Sequence, residues 1–114
     1  MKIEVRFQGL AVPASLKAHI ARRLQHALTS FRDRIQWVRV ALRDVNGPRG
    51  GADKECQVQL RLRGTSDVIV RDRETDAHAA FDRAAGRVVF ALQRQIGRRR
   101  QVQRGLRGLE LLPA

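Results

Sequence analysis

At 114 residues the chain has room for one domain with one core. It carries 23 Lys and Arg against 11 Asp and Glu, a formal net charge of +12, and all but three of the basic residues are arginine. Such an excess makes the compact state repel itself and points to a polyanionic partner. No apolar run approaches the ~20 residues that a membrane span needs. A single cysteine cannot close an internal disulfide, and the opening MKIEVRFQGL alternates around Glu4 instead of reading as a secretion signal. The expectation is a cytoplasmic protein with no membrane partner.

Residues 2–8 alternate strictly, with Ile3, Val5 and Phe7 on one side of a half-buried strand. Gly9 to Pro13 turns the chain, and Pro13 suits the first turn of a helix. Leu16, Ile20, Leu24, Leu28 and Phe31 then form an apolar helical stripe. Residues 35–44 alternate again, Val38, Val40 and Leu42 inward, Trp37, Arg39, Ala41 and Arg43 outward. Asn46 to Gly51 is a breaker cluster that predicts a flexible hairpin loop. Cys56, Val58, Leu60 and Leu62 mark a third strand, with Gln57, Gln59, Arg61 and Arg63 outside. Residues 68–73 make a shorter fourth strand. Asp76 can cap a last helix from Ala77 to Arg100. Gly105, Gly108 and Pro113 among leucines predict a flexible basic tail over 101–114, beyond a domain spanning 1–100.

The order is β-α-β-β-β-α, an α+β fold. A right-handed crossover makes the first two strands parallel, and hairpins join the rest. One apolar face per strand places both helices on the same side of a four-stranded mixed sheet, leaving the other face open and polar.

The charge is unevenly spread along the chain. Residues 1–46 carry a net +6, residues 47–76 zero, and residues 77–114 a net +6. On the last helix, Phe81, Ala84, Ala85, Val88, Leu92 and Ile96 share one face. Advancing ~100° per residue puts Arg83, Arg87, Arg94 and Arg98 on the opposite face. That row contains no acid. Arg22 and Arg23 add like charge on the first helix, and Arg98, Arg99 and Arg100 add it at the end of the last. Fixed guanidinium forks suit a phosphate backbone, and RNA is the expected ligand. Phe90 projects into the arginine row and Trp37 from the open sheet face. Either could stack on an unpaired base, or could simply pack: Phe90 under the leucine tail, Trp37 between arginine stems.

Catalytic chemistry finds little purchase. His19 and His26 lie on the first helix and His78 starts the last beside Asp76 and Asp82. No HxxxH, CxxC or glycine-rich phosphate loop is present, and Cys56 reads as a small buried residue. Neither a metal, a cofactor nor a small-molecule substrate is expected.

Four segments, KIEVRFQGL, SFRDRIQWVRVAL, DKECQVQLRLRG and DAHAAFDRAAGRVVFALQRQIGRRR, resemble the ribosome hibernation-promoting factor family, also called the ribosome-associated inhibitor or sigma-factor modulation family. The resemblance covers residues 1–100, and the chain looks like a short form. It implies a topology similar to double-stranded-RNA-binding domains. It also implies a non-enzymatic protein that binds the small ribosomal subunit through rRNA, occupies the mRNA and tRNA path, and inhibits translation under stress. The basic residues in matching segments are Arg22, Arg23, Arg83, Arg87, Arg94 and Arg98. Phe90 stands where the family carries a basic residue, and His78 where it carries tyrosine. The protein is expected to be monomeric when free. A free-standing RNA-binding regulator is the alternative, and a small histidine-dependent nuclease a more distant one.

Overall fold

The computed structural model describes residues 1–45 and 53–110, with side chains as far as residue 97. The hairpin loop expected at Asn46–Gly51 and the end of the tail lie outside the described residues. The elements are β1 (Lys2–Gln8), α1 (Ala14–Leu28), a 3-10 segment (Thr29–Arg34), β2 (Ile35–Asp44), β3 (Lys54–Leu62), β4 (Val68–Glu74) and α2 (Ala77–Glu110). The sheet runs β1-β2-β3-β4, with β1 and β2 parallel and the other two pairings antiparallel. Architecture and strand directions are those expected from the alternation of the sequence.

Gly9 and Gly64 take positive φ, 71° and 73°. Gly9 ends β1 and reverses the chain toward α1; Gly64 sits in the β3–β4 turn. Only glycine takes this left-handed conformation without a Cβ penalty. α1 begins after Pro13 without a side-chain cap. The Asp76 carboxylate accepts the Ala79 amide at 3.1 Å, capping α2 as expected.

One core joins the helices to one face of the sheet. Ile20, Leu24 and Leu28 of α1 and Phe81, Ala84, Val88 and Leu92 of α2 are fully buried, against Val38, Val40, Cys56, Val58 and Leu60. Burial pushes the Cys56 thiol up to about 12, helped by the Asp72 and Glu55 carboxylates, so it is inert at neutral pH.

Two boundaries differ from expectation. α1 stops at Leu28, and Phe31 lies in the 3-10 segment, half-buried against the core. α2 passes Arg100 without a break and ends at Glu110. Each of Gly105 and Gly108 costs only about 1 kcal/mol in a helix, and no proline intervenes before Pro113. The last buried core residue on α2 among those described is Ile96, so the helix continues well past the sheet.

Candidate nucleic-acid interface

Arg83, Arg87, Phe90 and Arg94 are all exposed, on the face of α2 away from the core. The expectation of a stripe without counter-charge is overturned. Arg83 donates to Glu74 at 2.7 Å and lies 3.5 Å from Asp72. Arg87 donates to Asp72 at 3.0 Å and to the Arg71 carbonyl at 2.7 Å. The acids come from β4, packed beside the helix and invisible to a reading of α2 alone. Each arginine still leaves about three-fifths of its side chain exposed, 61% and 59%. Arg94 has no acidic partner among the described residues. Its guanidinium lies 5.8 Å from the Phe90 ring.

Phe90 is 61% exposed, the most exposed large apolar residue among those described. It borders a shallow cavity of about 480 Å³ shared with Ile69, Ala91, Arg87 and Arg94. The expected cover, Leu106 or Leu109, falls outside the described side chains. At 1.5 Å of rise per residue, the continuing helix carries position 106 about 24 Å along the axis from position 90.

Where α1 meets α2, Asp82 gathers three groups. Arg23 donates to Oδ1 at 2.7 Å, His19 Nε2 lies 2.8 Å from the same oxygen, and His78 Nδ1 lies 3.0 Å from Oδ2. Burial pushes the Asp82 carboxyl up, but the contacts with His19 and Arg23 outweigh it and leave the carboxyl below its ordinary value. Thus two of the three histidines do converge, which the sequence reading did not anticipate; His26 stays apart and exposed. Ligand atoms of His19, His78 and Asp82 lie within 4.8 Å of one another. The imidazole rings, however, are stacked at 4.2 Å and inclined by only 20°. Nitrogen lone pairs lie in the ring plane, so nearly parallel rings cannot both aim at one cation as they stand. Arg23 adds a positive charge where such an ion would sit. The arrangement is an internal clamp between the helices. Arg22, one residue before Arg23, is exposed beside it, on a cleft of about 510 Å³ with Lys54 and Asp76, and has no acidic partner among the described residues.

The open face of the sheet is more basic than expected. Lys2, Arg6, Arg39, Arg43, Arg61, Arg71 and Arg73 share it with Glu4 and Glu55, and Asp67 joins from the β3–β4 turn. Glu4 accepts from both Arg6 and Arg39, each at 3.1 Å. Glu55 accepts from Arg43 at 2.8 Å and Arg73 at 3.2 Å, across three strands in register. These arginines cover Glu55, leaving its side chain only 6% exposed. Its burial raises the carboxyl pKa, and the two guanidiniums more than reverse this, to a net lowering. Trp37 is half-buried beneath Arg39 and Arg61, whose guanidiniums lie 4.1 and 4.9 Å from its ring. This is the cover between arginine stems.

The sequence reading placed Arg39, Arg43 and Arg61 outward without counting them toward a site, and passed over Arg71 and Arg73 because residues 47–76 sum to zero. The signal was present. In Val68–Glu74, Arg71 and Arg73 alternate with Asp72 and Glu74. A period of two sends the bases to the open face and the acids toward α2. Of the other expected site residues, Arg23 is tied to Asp82, Arg22 and Arg94 stand open, and Arg98, Arg99 and Arg100 lie outside the described side chains.

The class defined by fold and surface is a small basic α+β domain with exposed arginines on both its helical and its sheet side. The chain belongs to the Sigma 54 modulation protein / S30EA ribosomal protein family, whose model matches residues 3–103. Among solved structures it is similar to the N-terminal domain of Thermus thermophilus Protein Y, at 22% identity and a TM-score of 0.66, over 82% of this chain and 98% of that one. It is also similar to a ribosomal subunit interface protein from Coxiella burnetii, at 19% identity and a TM-score of 0.69, over 82% of this chain and 96% of that one. At these identities the likeness speaks for the fold. Among curated proteins no sequence match was found.

Proposed function

We propose that this protein is a non-enzymatic ribosome-binding factor that seats on the small subunit through rRNA phosphates, occupies the mRNA and tRNA path, and idles translation. Family membership over residues 3–103 carries the reading. The Coxiella relative's description as a ribosomal subunit interface protein points the same way. The helical face supports it chemically. Arg22 and Arg94 offer guanidinium forks with no acidic partner among the described residues, and Arg83 and Arg87 are held in place by Glu74 and Asp72 with more than half of each side chain exposed. Arginines ordered in advance lose less freedom on meeting phosphate. Arg98, Arg99 and Arg100 extend the same charge along α2. The mechanism is occupancy: a rigid body fills the decoding channel and no bond is made or broken.

Co-sedimentation with purified subunits tests this. The protein should travel with small subunits and not with large ones, and should lower cell-free translation in proportion to occupancy. Binding to free structured RNA with no association with subunits would instead favour a free-standing RNA regulator.

A further inference from the structure

The sheet face exposes a charge excess that the helical reading does not use. We infer that the open face of the sheet is a second RNA-backbone surface, so that the domain is gripped by rRNA on both sides. This rests on the ribosome-binding reading above.

Three observations carry it. Seven basic side chains stand on this face against Glu4, Glu55 and the neighbouring Asp67. Glu4 and Glu55 each hold two arginines, so neither cluster is neutralised and each keeps one net positive charge. Arg39, Arg43 and Arg73 are pinned in register across adjacent strands ~4.8 Å apart and Arg6 along its own strand, yet all four remain about half or more exposed. The face offers little to an apolar protein surface. Trp37 is already covered by Arg39 and Arg61, and Ile69, at the edge strand, is the only large exposed apolar side chain among its described residues. Charge complementarity therefore selects a polyanionic backbone, and the absence of an open aromatic platform selects phosphates over unpaired bases.

The test compares salt dependences of binding to purified small subunits. Arg6→Gln with Arg71→Gln removes two charges while sparing the Glu55 cluster and the Trp37 cover. Gln8→Lys adds one at the exposed outward position ending β1. Arg22→Gln with Arg94→Gln serves as the helical counterpart. With ~0.7–0.9 counterions released per phosphate, the first pair should lower the slope of log K against log salt by about 1 to 2. Gln8→Lys should steepen it. Slopes unchanged in both sheet variants, with the helical pair still altering its own, would overturn this inference alone. Affinity lost at constant slope would also overturn it, because a protein neighbour would then cover the face. Failure of the wild type to bind small subunits at all would remove the ribosome-binding reading itself.

Discussion

On the helical side, Asp72 and Glu74 of β4 meet Arg83 and Arg87 of α2, two acids for two bases. On the sheet side, Glu4 and Glu55 each meet two arginines. The first arrangement balances charge for charge while leaving more than half of Arg83 and Arg87 exposed, beside Arg22 and Arg94, which have no acidic partner among the described residues. The second fixes arginines in place without cancelling them. Charge summed along a sequence is therefore a poor guide to charge at a surface. β4 contributes nothing to the first sum, yet its pleat gives acids to one face and bases to the other.

The largest effect should come from the layer beneath both faces. Leu92 is fully buried between α2 and the sheet, and Leu92→Ala should cost about 2–5 kcal/mol through the cavity it leaves. Urea denaturation measures this. Because one core supports both sides, partial unfolding should weaken the helical and sheet contributions together. Loss of one alone would show that the faces rest on separable cores.

Glu55→Gln should follow, at about 1.5–3 kcal/mol for the loss of charged hydrogen bonds at a covered site. The same change leaves Arg43 and Arg73 with full charge, so the folded fraction should bind small subunits with a steeper salt slope. Acid titration sharpens the comparison further. Glu55 and Asp82 both have lowered pKa values in the fold. Each contributes stability that is present above its ordinary carboxylate value, about 4, and lost as pH falls through its folded value. Glu55→Gln and Asp82→Asn should each flatten that acid loss, one acting on the sheet side and one at the junction of the helices. A variant that melts with the wild-type dependence on pH below about 4 would show that its carboxylate does not carry the effect.

Phe90→Ala isolates an uncharged contribution on the helical side. If Phe90 stacks on an rRNA base or ribose, worth ~1–3 kcal/mol, affinity should fall about fivefold to a hundredfold. The salt slope and melting temperature should stay as they were, since the ring is 61% exposed. Unchanged affinity at two salt concentrations would exclude stacking.

Arg87→Glu should have a small consequence for stability, a drop of a few degrees in melting temperature, because it sets a carboxylate beside Asp72 and gives up the bond to the Arg71 carbonyl. It should weaken binding as well. An unshifted melting temperature would mean that the Arg87–Asp72 pair contributes nothing to the fold.

Alternation and helical spacing made the strands, their directions and the buried face legible in advance, because each depends on residues a few positions apart. Cys56, Leu92 and Phe81 could be placed inside for the same reason. What escaped were pairings across long separations. Asp82 meets Arg23 and His19 some sixty residues away. Arg87 meets Asp72 across the β4–α2 turn. The length of α2 was missed because glycine reads as a breaker, although its helical cost is small enough for arginine, glutamine and leucine neighbours to offset. Arg71 and Arg73 were legible but overlooked: the period-two reading applied to the apolar residues was not applied to the charges between them.

The central claim is that basic side chains meeting phosphates hold this protein on the small ribosomal subunit. The most direct test is the wild-type dissociation constant measured from 50 to 200 mM monovalent salt. Four to eight phosphate contacts predict a loss of affinity of roughly two to four powers of ten over that range. A nearly constant affinity would contradict the account on both faces at once.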